Sequence, residues 1–156
     1  MSRITPFLWY DSEAEEAARQ YVSIFPNSRI VSVSRYGDAG PGPVGKAMTV
    51  EFELDGQLFT ALNGGPHHEF TEAVSFVVPC KSQEEIDRRW AALAEGGEEG
   101  KCGWLKDRYG LSWQVVPERL GAMLGDRDPQ RAGRVMQAML KMKKMDLPAL
   151  ERAFAG

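Results

Sequence analysis

The sequence predicts an α+β fold made of two βαβββ modules followed by a helical tail. Three observations predict it. An apolar strand followed by a Ser-x-x-Glu-capped amphipathic helix occurs twice, the capping serines Ser12 and Ser82 lying 70 positions apart. Each helix is followed by strand material that ends in a hairpin. After Pro117 the composition turns to helix formers.

The first strand is the apolar run Ile4 to Tyr10, carrying Trp9. Ser12-Glu13-Ala14-Glu15 then reads as a capping box, in which hydroxyl and carboxylate satisfy orphan backbone N–H groups. Ala14, Ala17, Ala18, Tyr21, Val22 and Phe25 recur at helical spacing, and Pro26-Asn27 ends the run. Strands follow over Ile30 to Tyr36, Ala47 to Leu54 and Leu58 to Asn63, the last two joined by Asp55-Gly56, a strong hairpin signal. The loop Gly37 to Pro43 reads as a flap, a subunit-contacting loop or a plain surface connection.

The second copy opens on the strand Val74 to Cys80, with Ser82-Gln83-Glu84-Glu85 as its capping box. Ile86, Trp90 and Leu93 form the buried stripe of its helix before Gly96-Gly97. Shorter strands are expected over Gly100 to Leu105 and Leu111 to Val116, joined by the turn Asp107 to Gly110. The offset between modules shrinks from 70 at the capping boxes to 53 between Leu58 and Leu111, so the first module is longer. In the tail, Asp128 caps and Pro129 suits a first helical turn, with Ala132, Val135, Met136, Met139 and Leu140 as the apolar stripe. A short last helix is expected from Asp146 to Phe154, the tail serving as a clamp across the sheet or onto a partner subunit.

Bulk properties narrow the function. At 156 residues, 43% hydrophobic and 26% charged, the chain has the composition of one cooperative globular unit. A net charge of −3 offers nothing to a phosphate backbone or anionic lipid, so nucleic acid is not an expected partner. No apolar run is long enough to span a bilayer and no signal-peptide core opens the sequence, so the expected location is the cytoplasm. Cys80 and Cys102 stand outside any metal or CxxC spacing and read as two reduced thiols.

The segments Ile4-Thr5-Pro6-Phe7-Leu8-Trp9-Tyr10, Phe25-Pro26-Asn27-Ser28, Thr49-Val50-Glu51-Phe52, Leu62-Asn63-Gly64-Gly65-Pro66 and Gly103 to Gln114 resemble the PhnB-like family. That family sits within the vicinal-oxygen-chelate (glyoxalase, bleomycin-resistance, dioxygenase) superfamily. The resemblance implies eight strands curled into an incomplete barrel around a cleft, in a homodimer. Relatives also carry the label 3-demethylubiquinone 3-methyltransferase. A nucleotide-like methyl donor is normally held at a glycine-rich strand-to-helix turn, and neither Tyr10-Asp11-Ser12 nor Cys80-Lys81-Ser82 contains a glycine.

In metal-using members of the superfamily, His, Glu or Gln side chains enter the cleft from the first and last strand of each module. The first-strand positions read as inward, Ile4, Pro6 and Leu8, are not ligands, nor are Val74, Phe76 and Val78. On the last strands Ala61 or Asn63 occupies one ligand region, and Gln114 stands where relatives carry Glu. Asn63 and Gln114 are neutral donors, too weak to repay dehydration of a divalent cation, so no metal cofactor is expected. His67-His68-Glu69 reads as an exposed linker, because adjacent side chains point apart.

Glu51 alternates with Val50 and Phe52 and is either a cleft base or a surface charge, depending on which face of its strand is wet. Trp9, Trp104 and Trp113 could line a cavity, with Phe76 beside them and Asn63, Gln114 and Lys106 as its polar contacts. The expectation is a metal-independent small-molecule binding protein, with a homodimer implied by the family. The alternatives are a divalent-metal lyase, isomerase or dioxygenase, and a protein associated with a quinone-pathway methyltransferase.

Overall fold

A computed structural model describes residues 2–156. The chain divides into two compact units, one running to Phe70 and the other starting at Thr71. Each contains one four-stranded sheet, and five helices lie among the described residues.

In the first unit, β1 (Phe7–Tyr10) leads into α1 (Ala14–Ile24), followed by β2 (Arg29–Arg35), β3 (Ala47–Leu54) and β4 (Gln57–Asn63). The sheet order is β1-β4-β3-β2, with β1 parallel to β4 and the other neighbours antiparallel. The β3–β4 hairpin turns at Asp55-Gly56, both in the left-handed region with φ of 48° and 81°, as its Asp-Gly pair requires. α1 covers one face of the sheet, burying Ala14, Ala17, Ala18 and Tyr21 against Leu8, Tyr10, Val50, Phe52, Phe59 and Ala61. Phe52 and Phe59 stack at 5.4 Å, and the hydroxyls of Tyr10 and Tyr21 meet at 3.1 Å.

The expected capping box at Ser12 does not form. Glu13 holds the cap position without a side-chain bond to the helix, and Glu15 turns instead to Arg19 at 2.8 Å and Arg35 at 3.3 Å. The cap comes from the end of the neighbouring strand β4, where Asn63, paired with Tyr10, accepts at Oδ1 from the Ala14 N–H at 2.8 Å. The second box forms in its serine half: Ser82 Oγ accepts from the Glu85 N–H at 3.1 Å, and the Glu85 carboxylate reaches one residue past the cap to accept from the Lys81 N–H at 3.1 Å.

The second unit runs β5 (Ser75–Cys80), α2 (Gln83–Ala94), β6 (Glu98–Glu99), β7 (Trp104–Lys106) and β8 (Ser112–Pro117), with sheet order β5-β8-β7-β6. The strand expected over Gly100 to Leu105 is broken. Residues 100–103 turn, with Cys102 and Gly103 at φ of 56° and 82°, so that β6 ends before the expected range and β7 begins only at Trp104. α2 buries Ile86, Trp90 and Leu93 on the sheet face that carries Leu105, Trp113 and Val115.

The tail forms α3 (Leu120–Leu124), α4 (Pro129–Met139) and α5 (Leu147–Ala155). Asp128 and Asp146 cap the last two, accepting from Gln130 N–H at 2.9 Å and Ala149 N–H at 3.0 Å. The expected α4 stripe is narrower than its spacing suggests: Val135 is buried, while Met136 and Leu140 are exposed. The tail docks on its own unit. Cys102 and Gly103 donate backbone N–H bonds to Met142 and Lys143, and Gln83 bonds the backbone at Met145 and Leu147.

Candidate functional site

With one face of each sheet taken by a helix, strand alternation defines what the other face presents. On the first sheet, pairing aligns Trp9, Leu62, Thr49 and Ser34 in one row and Phe7, Thr60, Glu51 and Ser32 in the next. The Ser34 Oγ to Thr49 Oγ1 contact of 2.6 Å places that pair on one side of the sheet. The helix-free face is therefore largely apolar along β1 and β4, with carboxylates on β3. Glu51 is on this face and exposed, and its neighbour two positions on, Glu53, pairs with Arg29 at 3.1 Å. Trp9 is oriented by its indole N–H, which donates to the Gly65 carbonyl at 2.9 Å, and by the edge of His68 at 4.7 Å. Gly64 is required beside it, because a Cβ there would stand 2.3 Å from the indole.

The expected strand parity is shifted by one residue. Leu8, Ala61 and Asn63 face the helix side, whereas Phe7, Trp9, Thr60 and Leu62 face away from it. In the second unit the same correction moves the helix-free positions of β5 from Val74, Phe76 and Val78 to Ser75, Val77 and Pro79. Phe76 packs instead against Trp113 with ring centroids 5.7 Å apart. Trp113 is buried on the α2 side, where its indole N–H donates to Asp107 Oδ2 at 2.9 Å. Asp107 is itself buried and also accepts from the Tyr109 and Leu111 N–H groups at 2.9 and 3.0 Å, so the turn is held from inside.

Gln114 lies on the helix-free face, where its Nε2 donates to Ser75 Oγ at 2.9 Å and Trp104 is its neighbour across β7. Lys106 shares that face and forms an ion pair with Glu72. Glu72 holds the Lys106 ammonium above the usual lysine range, and Lys106 holds the Glu72 carboxyl below the usual carboxylate range. Of the eight residues singled out from sequence, Trp9 and Glu51 thus share one helix-free face and Trp104, Lys106 and Gln114 the other. Phe76 and Trp113 pack on the opposite face of the second sheet, and Asn63, whose amide turns to the helix side, borders a cavity of the first unit.

Sequence reading missed Ser112, Glu72 and Glu98 around a cavity of about 170 Å³ next to Trp104 and Lys106. Ser112 carried a usable signal, since it stands two positions before Gln114 on the same strand. A cavity of about 450 Å³ in the first unit is bordered by Asn63, a residue expected at a site, together with Asp11, Tyr36, Gly42, Lys46 and Gly65, which the sequence did not single out. The loop after β2 reaches this cavity by laying Gly40 and Gly42 on the ring of Tyr36, whose hydroxyl donates to the Asn63 carbonyl at 2.6 Å.

The resemblance places the ligands of metal-using members on the first and last strands of each module, and a divalent cation would need charged donors there. The helix-free positions there are Phe7 and Trp9 on β1, Leu58, Thr60 and Leu62 on β4, Ser75, Val77 and Pro79 on β5, and Ser112, Gln114 and Val116 on β8. Gln114 is the one residue of ligand type among them, and it is neutral. No group of three His, Cys, Asp or Glu side chains able to hold a metal ion occurs among the described residues. These residues do not fit a bound divalent metal.

Comparison with known proteins places the chain. Residues 2–116 match the family model described as 3-demethylubiquinone-9 3-methyltransferase. A putative 3-demethylubiquinone-9 3-methyltransferase, PhnB protein, from Bacillus cereus is 39% identical, with 74% of this chain and 99% of that one covered and a TM-score of 0.68. The Pseudomonas aeruginosa protein PA1353 is 22% identical over 75% and 98% of the two chains, with a TM-score of 0.62. The fosfomycin resistance protein FosX of Mesorhizobium loti shares the fold at 12% identity, covering 73% of this chain and 89% of its own, with a TM-score of 0.52. No curated protein matches the sequence.

Proposed function

The chain belongs to the 3-demethylubiquinone-9 3-methyltransferase (PhnB-like) family of the vicinal-oxygen-chelate superfamily, and from that premise we propose that it is a small-molecule binding protein working without a catalytic metal. The observation that carries the reading is the make-up of the helix-free faces. Trp9 with Phe7 and Leu62 on one sheet, and Trp104 on the other, offer aromatic and apolar surface with few polar contacts, as small-molecule sites do. Glu51 on the first face, and Gln114 and Lys106 on the second, supply those polar contacts. The neutral donor at Gln114 supports a ligand held by hydrogen bonds and stacking rather than by a cation.

The methyltransferase description of the family model is not carried over as an activity. The α1 N-terminus holds no glycine-rich turn, and the Ala14 N–H there is bonded by Asn63. A thermal-shift screen of aromatic and apolar small molecules tests the proposal. Stabilisation by a subset of them is expected, and it should be unchanged after dialysis against a chelator. Stoichiometric zinc, nickel or manganese that switches on an isomerase or ring-cleaving activity would overturn the metal-free reading.

A further inference from the structure

The geometry points to the β2–β3 connection, residues 37–45, as a lid that swings as a body over the cavity at the end of the first sheet, with the ring of Tyr36 as its latch.

Strand ends place the cavity: Asp11 follows β1, Tyr36 follows β2, Ala47 opens β3 and Asn63 closes β4. Its volume of about 450 Å³ lies in the range of small-molecule sites. Pro41, Gly42 and Pro43 border it from the loop, and Gly65 borders it from the body of the unit. Moving the loop therefore removes one of its walls.

The loop is held at its base and at one ring. At the base the Tyr36 N–H donates to the Lys46 carbonyl and the Gly45 N–H to the Tyr36 carbonyl, both at 2.9 Å. Beyond this clasp, the loop backbone bonds only to itself, closing turns from the Gly40 N–H to the Gly37 carbonyl at 3.3 Å and from the Lys46 N–H to the Pro43 carbonyl at 3.1 Å. Among the described residues, no hydrogen bond ties residues 37–44 to the rest of the unit.

Packing on Tyr36 is what keeps the loop down. A Cβ at Gly40 would stand 2.7 Å from the ring's Cδ1, and one at Gly42 would stand 2.3 Å from Cε2, so bare backbone touches the ring at both positions. The ring itself is fixed, being buried and donating its hydroxyl to the Asn63 carbonyl at 2.6 Å. Glycine backbone against a single ring buries little apolar area, which puts the loop at the low-stability end of the unit. Its two ends suit a hinge. A Cβ at Gly37 or Gly45 would meet nothing within 4 Å, and Gly45 already sits at φ of 84°, so both can change φ and ψ without a clash. Between them Pro41 and Pro43 lock their own φ angles, and the tip keeps its shape as it moves.

The test is NMR of the isotope-labelled full chain. In the native protein the Tyr36 ring should displace the Gly40 and Gly42 Hα signals upfield. Relaxation dispersion should detect a second, open state at the loop amides, while the Tyr36 and Gly45 amides of the clasp stay protected. Gly42→Ala drives a methyl group into the ring and should release the loop, lowering its order parameters from about 0.85 to below about 0.6. The soluble nitroxide TEMPOL should then broaden the Gly65 amide more than it does in the native protein. Tyr36→Leu, which removes the latch from the other side, should act in the same way. Amides of α1 should stay protected in both variants, which separates a released lid from a lost fold. A native loop as ordered as the strands with no second state, or Gly65 broadening that neither variant changes, would overturn the lid. Loop signals that move with protein concentration would overturn it in favour of a contact between subunits.

Discussion

At Asn63 a single side-chain amide joins three parts of the first unit. Its oxygen accepts from the Ala14 N–H at the start of α1, and its nitrogen donates to the Ala47 carbonyl at 3.0 Å at the start of β3. Its own carbonyl receives the Tyr36 hydroxyl. Asn63→Ala should cost about 2 kcal/mol, because a helix cap and a strand contact go together. Chemical denaturation should show this as a lower midpoint at unchanged slope. The role was not legible in the sequence. Ser12 and Glu15 presented a complete local cap, and nothing in local spacing shows that a residue 49 positions away will displace it. Cys80 makes a second residue-level case. Burial first, and then Glu85, push its thiol up to about 11 from an ordinary 9.0, with Arg89 opposing. Because the folded value is raised, the stability this thiol contributes is complete below pH 9 and is lost as the pH rises towards 11. At pH 8 a thiol reagent should therefore modify the half-buried Cys102 in the native protein and reach Cys80 only on unfolding. Equal native rates at the two sites would contradict this.

Among the elements, those whose signals lie within a few residues were read well. The β3–β4 hairpin follows from Asp55-Gly56, and the second capping box from Ser82 and Glu85. Strand faces were read less well. A short strand has too few residues to fix its own parity, and β1 has four, so Leu8 was expected on the face that Phe7 and Trp9 occupy. The consequence for the site was limited, since the residues brought to the helix-free face, Phe7, Ser75 and Val77, are no better metal ligands than those they replace. The break between β6 and β7 was also missed, although Gly100 and Gly103 mark it and Gly97 sets the close approach of β6 to β7. A Cβ at Gly97 would stand 2.1 Å from the Lys106 carbonyl oxygen, backbone that cannot turn aside as a side chain can. Gly97→Ala should therefore separate β6 from β7 at a cost of about 3 kcal/mol or more. Amide exchange at the β6–β7 pairs should rise with it. Gly110→Ala tests the other kind of glycine. It meets nothing within 4 Å but sits at φ of 88°, so only conformational strain of about 1 kcal/mol is expected.

For the molecule as a whole, the tail is the part that neither the module pattern nor the family model accounts for, since that match ends at residue 116. It is held by Met145, fully buried beside Gly103, and by Gln83, whose amide donates to the Met145 carbonyl and accepts from the Leu147 N–H at 3.0 and 2.7 Å. Met145→Ala should cost about 3 kcal/mol through the cavity it leaves. Protection of the Cys102 and Gly103 amides, which bond the tail backbone, should fall with it. An exposed ion pair adds a pH dependence. Lys144 first, then Gln83, hold the Asp87 carboxyl below its ordinary 3.8, so its contribution is complete above that value and is lost as the pH falls through the lowered one. Exchange at the tail should rise in acid, and Asp87→Asn should remove that dependence. The Gln83 latch also has a bearing on biosynthesis. Its partner Met145 lies 62 positions further along, so a growing chain completes the sheet and α2 while this glutamine still waits for the segment that will close over it. Ribosome-bound chains stopped short of Met145 would therefore leave Gln83 without its partner and this corner of the nascent protein open to chaperones.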